Sequence, residues 1–460
     1  MENFWDYSVW GVILLFGVLL GSLLVGNILK KGLPFLRNSL IPTSVLGGAV
    51  LIVFAAIYKA ITGEVMFDSQ IFGENGTAML ETITYHTLAL GFIASALKTS
   101  EGKLTKKRSG EIFNTGVTTV ATYLLQGIFG LGITIIATLL IKDFFSAAGV
   151  LLPFGYGQGT GQAMNYGNIY ETEYGFIGGK SFGLTIAALG FLSASIGGVI
   201  HLTVMKKRGK INISDSKNML NTEAIETENE IPMQESIDKM TVQIALIFVS
   251  YIVAYLIMWG LGMLLPGMKA TVYGFNFLLG VLSATLVKSL IKLFKKCKFA
   301  KKDYTNNFLL TRASNFFFDL MIVAGIAAIR LDYLESYWGI LLILGVVGLV
   351  ITYIYNRIIA KTLFGEYVEE QFLAMYGMLT GTASTGIILL REIDGEFKTP
   401  AADNLVYQNF PAIAFGFPMM LLATLAPKKP ILTLIIFVLF FLVLNVILFR
   451  SFIFRRRNKK

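Results

Sequence analysis

Apolar residues along this chain fall in blocks of about 18 or more, and a helical block of that length crosses a hydrocarbon core of about 30 Å. Such blocks lie at 9–29, 44–61, 82–97, 116–141 and 181–205, and again at 241–265, 272–293, 315–329, 338–359, 404–425 and 431–454. The pattern predicts an all-α integral membrane protein with ten or eleven spans. The blocks at 82–97 and 315–329 are short for a crossing and are expected to extend further or bend. The first span is not expected to be a cleavable leader, because Glu2 and Asp6 are the only charges before it and no small-residue cleavage site follows.

Two further apolar stretches are broken near their centres by Gly, Thr, Ser or Gln: AGVLLPFGYGQGTGQA at 148–163 and FLAMYGMLTGTASTGIILL at 372–390. Lysine and arginine decide how to read them, since cytoplasmic loops are enriched in both. With the N-terminus outside, most of the chain's 39 basic residues fall in loops predicted to be cytoplasmic: Lys30 to Arg37, Lys98 to Arg108, Lys206 to Lys239, Lys292 to Arg312, Arg357 to Lys398 and Arg450 to Lys460. The loop at 63–81, predicted outside, has four acidic residues and no basic one. Counting either broken stretch as a crossing would destroy this pattern. Both are therefore expected to be re-entrant hairpins, the first entered from outside and the second from inside. Broken backbone at that depth is tolerated only where it is buried in protein or lines a watery cavity.

An inverted repeat follows. Residues 1–205 form a first half of five spans with the hairpin 148–163, and 240–425 a second half of five spans with the hairpin 372–390. A cytoplasmic linker at 206–239 joins them, and 426–460 adds an extra C-terminal span and a basic tail. Sequence echoes agree: Gly159-Thr160-Gly161 answers Gly381-Thr382-Ala383, and GFIASALK at 91–98 answers VAGIAAIR at 323–330. In transporters built this way, substrate sites lie near the midplane where discontinuous helices of the two halves meet.

Composition narrows the class. The chain is 55% hydrophobic and 15% charged, against about 25% charged in soluble domains, and its mean hydropathy is +0.66. The net charge of +10 reads as a topology signal and an attraction to anionic lipid, not as a nucleic-acid footprint. One cysteine, Cys297, and two histidines, His86 and His201, leave no material for disulfides or a Cys/His metal centre. No cofactor is expected. An intramembrane enzyme would need paired carboxylates or a metal cluster at depth, and Asp319 has no carboxylate mate within the spans, so enzymatic activity is not expected.

The hairpin tips supply the candidate chemistry. Their glycines let backbone N–H groups approach a ligand, and with the positive ends of short half-helices these suit a carboxylate. The candidate substrate-binding set is Gln158, Gly159, Thr160, Gly161, Gln162 and Asn165 from the first hairpin, with Gly381, Thr382, Ala383, Ser384 and Arg391 from the second. Carbonyls and hydroxyls suit a small hard cation such as sodium. The candidate sodium ligands are Thr380, Thr382, Thr385 and Asp319. Asp319 fits either a sodium ligand or a solvated residue near a cytosolic cavity. Arg391 fits either a bidentate carboxylate clamp or a positive-inside anchor. His86 reads as a packing histidine or a proton relay, and Lys59, Lys180 and Lys288 as snorkelling residues near span ends. An ion channel remains a rival class, since hairpins serve channels too.

IPTSVLGG at 41–48, GYGQGTGQA at 155–163 with the following EYGF at 173–176, and the second glycine-rich hairpin resemble the bacterial sodium/glutamate symporters. The resemblance runs over most of the chain, about residues 24–425. It implies sodium-coupled uptake of L-glutamate or another organic anion across the bacterial cytoplasmic membrane. It further implies a homodimer in which a mobile domain carrying the hairpins moves, elevator-like, against a fixed scaffold.

Overall fold

The computed structural model describes residues 3–98, 105–211, 237–296, 305–395 and 398–451. Most of the linker expected at 206–239 (residues 212–236), Cys297 and the basic tail from 452 onward lie outside these. Among the described residues the chain is helical, with turns and short 3-10 segments between helices. The first half contains α1 (Tyr7–Gly32), α2 (Pro34–Arg37), α3 (Thr43–Thr62), α4 (Gly76–Leu97), α5 (Lys106–Leu140), α6 (Leu151–Tyr174) and α7 (Gly179–Lys207). The second contains α8 (Lys239–Leu264), α9 (Lys269–Gly274), α10 (Asn276–Lys296), α11 (Asn307–Ala327), α12 (Trp338–Leu363), α13 (Val368–Thr380), α14 (Ala383–Arg391), α15 (Ala401–Tyr407) and α16 (Asn409–Leu425), and α17 (Pro430–Leu448) follows it.

Nine of these helices are long and apolar enough to cross a membrane, and ten if α15 and α16, bent by 51°, form one span. The chain is a multi-pass membrane protein. The eleventh expected span is α4, which has the length but not the composition: Glu81, Thr82, Thr84, His86 and Thr87 make its first half polar. Most of its residues are packed against other helices, and Thr84 and Thr87 donate to their own i−4 carbonyls. As expected, α4 extends beyond 82–97, starting at Gly76. The block at 315–329 starts at Asn307, where Asn306 accepts from the N–H of Leu309 as an N-cap. Two expected continuous spans are interrupted: 272–293 at Phe275, between α9 and α10, and 404–425 at Gln408, between α15 and α16.

Burial separates central helices from peripheral ones. The apolar windows of α7 and α11 are 67% and 61% buried, those of α1, α8 and α17 only 22%. Side chains such as Leu139, Met263 and Ile431 stand exposed on the outer faces, where lipid replaces water as the neighbour. Small residues let the inner helices approach closely. A Cβ on Gly155 of α6 would lie 2.8 Å from the backbone N of Ala187 on α7.

The lysines expected to snorkel are held by partners. Lys59 pairs with Asp332 at 2.5 Å and Lys180 with Glu81 at 2.7 Å. Lys288 donates to the carbonyls of Ala96, at 3.3 Å, and Lys98. Each lies beside a loop or helix end that supplies the acceptor, which block hydropathy does not record.

Candidate functional site

The first broken stretch folds back on itself. Gly159 interrupts α6 with φ +78° and ψ −171°, a region open essentially to glycine alone. The rings of Phe154 and Tyr166 stack 3.8 Å apart across this break, and Phe145 lies against Tyr170 at 5.3 Å. In a continuous helix residues 154 and 166 would stand about 18 Å apart. The returning arm runs on to Tyr174, well past the limit of 163 expected from hydropathy. That arm reads MNYGNIYETEY, too polar to register as an apolar block. It is held by tyrosines at four-residue spacing, whose hydroxyls donate to α16: Tyr166 to the carbonyl of Met420 at 2.7 Å, Tyr170 to Ala423 at 2.7 Å and Tyr174 to Thr424 at 3.1 Å.

The second stretch does the same. Helix α13 ends at Thr380, Gly381 and Thr382 are non-helical, and α14 begins at Ala383. The two arms press together through glycines: a Cβ on Gly377 would lie 2.8 Å from Cα of Gly386. The break frees the carbonyl of Leu379 from its helical partner. The amide of Gln126 on α5 replaces that partner, donating to Leu379 O and to Thr352 Oγ1, both at 2.9 Å.

The two tips meet. A Cβ on Gly159 would lie 3.1 Å from Cγ2 of Thr382 and 3.9 Å from the carbonyl oxygen of Gly381. Beside this contact is a cavity of about 130 Å³. Gly157 and Gln158 reach it from the first tip, and Thr382, Ala383 and Ser384 from the second. The backbone N–H groups of the first turn of α14 have no intrahelical acceptors and lie at this end, as an anion requires. A larger cavity, about 410 Å³, lies between α3 and the segment after α11, away from both tips. Its charged residues are already paired, Lys59 with Asp332 and Arg330 with Asp68 at 3.5 Å, so the cavity at the tips is the better candidate.

Not every expected residue reaches that cavity. Thr160 is buried, and its hydroxyl donates to the carbonyl of Met321 at 3.2 Å, fastening the first tip to α11. Gly161 packs on Leu88 and Met321. Gln162 and Asn165 form a pair along the returning arm, Asn165 Nδ2 donating to Gln162 Oε1 at 3.2 Å and to Gly274 O at 3.4 Å; Gln162 Nε2 has no partner among the described residues. Among the expected sodium ligands, Thr382 and Thr385 lie together, their hydroxyl oxygens 3.4 Å apart. The hydroxyl of Thr380 is turned to its own helix, donating to Tyr376 O at 2.6 Å. Asp319 stands beside Ser44 of α3 and does not line the cavity. Arg391 closes α14, eight residues or about 12 Å along the helix from Ala383, at the base of the hairpin. His86 bonds Tyr251 through Nδ1 at 2.7 Å. Among the described residues no group of three or more His, Cys, Asp or Glu is placed to hold a metal ion, so a cation at the tips would be held by neutral oxygens.

The structure adds residues that sequence reading missed. Gln408 and Asn409, at the bend between α15 and α16, line the cavity. Their signal was a polar pair just before Pro411 inside an apolar block. Phe92, Phe277 and Phe318 form an aromatic wall, with ring centroids 5.0 and 5.4 Å apart. At the base of the second hairpin, Arg357 grips Glu369 with two bonds of 2.7 Å, and His201 bridges Glu369 and Tyr353 at 2.8 Å each. Compared with known proteins, the chain matches no protein-family model and no curated protein sequence.

Proposed function

We propose that the chain is a secondary active transporter that couples sodium entry to uptake of a small organic anion across the bacterial cytoplasmic membrane. The observation that carries this reading is the meeting of two broken helical hairpins, Gly159 against Gly381 and Thr382, beside a cavity inside a bundle of apolar helices. Discontinuous helices converging on a buried cavity are how transporters present backbone N–H groups and carbonyls to substrate and ion at membrane depth. The tips offer hydroxyls and amides with no titratable side chain, which suits sodium as the coupling ion better than protons.

In this proposal the hairpins are re-entrant and the halves inverted, with the N-terminus outside and the C-terminus cytoplasmic. Support comes from where the hairpin bases lie. Phe145 and Phe176, at the base of the first, stack at 4.7 Å near the start of α7, where Lys180 meets Glu81. The second has its base at the other end of α7, where His201 meets Glu369. The resemblance to sodium/glutamate symporters makes L-glutamate the first substrate to test, and a homodimer with elevator-like alternating access the first mechanism. Uptake into proteoliposomes under imposed sodium or proton gradients tests the reading. Saturable anion uptake that collapses without sodium is expected; uptake driven equally by protons in sodium-free buffer, or unsaturable conductance, would overturn it.

A further inference from the structure

We infer that the ligand of the cavity at the tips is a small monocarboxylate with an apolar body, not a dicarboxylate. The inference rests on the transporter reading and concerns the same site. The cavity has two chemically distinct sides. On one, Gln158, Thr382, Ser384, Gln408 and Asn409 present neutral amides and hydroxyls beside the N-terminal turn of the nine-residue α14. Gln408 is 2% exposed; its Nε2 lies 3.1 Å from Asn409 Oδ1 and 3.3 Å from Met378 Sδ, and its Oε1 has no partner among the described residues. That free atom is an acceptor, so it suits the coupled cation or an N–H of the ligand, and leaves the carboxylate to the N–H groups of the first turn of α14. This side suits one carboxylate, held by backbone and amide N–H groups with a coupled cation for charge.

The other side is the wall of Phe92, Phe277 and Phe318, with Met321, Met378 and Met420. None of the described residues lining the cavity is Asp, Glu, Lys, Arg or His. Arg391, the one cation expected here from sequence, is at the far end of α14. A second carboxylate would find no cation there and only the hydroxyls of Ser95 and Tyr123, already engaged with Ser314 Oγ at 3.1 Å and the carbonyl of Gly157 at 3.0 Å, which is unfavourable. An aliphatic or aromatic body instead gains burial and edge-to-face contact there. The volume, about 130 Å³, is a little below the about 150 Å³ that holds benzene, which limits the apolar body to a short branched chain or a single ring.

The test uses the full chain in proteoliposomes, with sodium-driven uptake of radiolabelled phenylacetate, 3-methylbutanoate, L-glutamate or L-aspartate measured, because one sodium moving with one monoanion carries no net current. The two monocarboxylates are expected to reach half-maximal uptake at concentrations at least about tenfold lower than either dicarboxylate, in line with what a mismatched pocket costs. Phe318→Leu and Phe277→Leu, which keep the wall apolar, are expected to cut the preference for phenylacetate over 3-methylbutanoate several-fold. Phenylacetate-induced thermal stabilisation of the purified chain in sodium buffer gives a second readout for each variant. Sodium-driven transport of glutamate or aspartate at equal or lower concentrations would overturn the inference and leave the transporter standing. An unchanged aryl preference in both wall variants would overturn it too. Silence to every anion under every gradient would remove both readings.

Discussion

Gly159 is the residue on which the proposed site turns, because both its backbone and its missing side chain are required. At φ +78° and ψ −171° any other residue is strained by about 1–3 kcal/mol, and a Cβ would crowd Thr382 at 3.1 Å. Gly159→Ala is expected to abolish sodium-driven uptake while the chain still inserts and elutes as a folded species; uptake near the wild-type rate would refute the role of the tip contact. Thr382→Val keeps the shape and removes one hydroxyl. Its expected cost is about 0.5–1.5 kcal/mol, read as a rise of a few-fold in the sodium concentration for half-maximal uptake. Arg391 tests the opposite expectation. Since it closes α14 at the base of the hairpin, Arg391→Gln should leave substrate concentration dependence within about twofold of wild type, the usual scatter for a residue without direct ligand contact. A large loss of affinity would return the arginine to the site that sequence reading assigned it.

At the scale of elements, the two hairpins are held differently. The first is fastened by side chains of its own returning arm, the tyrosines donating to carbonyls of α16. The second is fastened by a neighbour, since Gln126 of α5 satisfies the carbonyl that the break at Gly381 leaves free. Gln126→Leu fills similar volume but orphans Leu379 O, at an expected cost of about 1–3 kcal/mol. The check is a lower unfolding temperature of the purified protein, together with faster proteolysis or labelling near 379–382. An unchanged melting temperature would mean that water satisfies the carbonyl equally well. Both breaks were legible beforehand, because glycine and hydroxyl residues interrupting an apolar run carry a local signature. The length of the first hairpin was not. Its returning arm hides its polar atoms by bonding α16, about 250 positions away in the chain, and local hydropathy has no record of that partner.

For the whole molecule, the proposed topology makes a direct prediction. Glu64 and Lys210 are exposed and follow helices that end on opposite faces under this reading. With Cys297 replaced, Glu64→Cys should label with an impermeant reagent added outside intact cells, and Lys210→Cys only after permeabilisation. Labelling of both from one side would refute the inverted arrangement. The membrane class and nearly all the helices are legible in the amino-acid order, because a segment's cost of leaving water and its need to satisfy its own backbone in lipid are local properties. The same order also marks the two broken segments and, through lysine and arginine, the expected orientation. Helix packing brings the two tips into contact, lets Gln408, Asn409 and three phenylalanines complete the cavity, and leaves Asp319 and Arg391 outside its lining. Those outcomes depend on how each helix is rotated and where it crosses its neighbours. Close packing through glycines sets that rotation, and it joins residues such as Phe92, Gly159, Phe318 and Thr382 that share no local pattern.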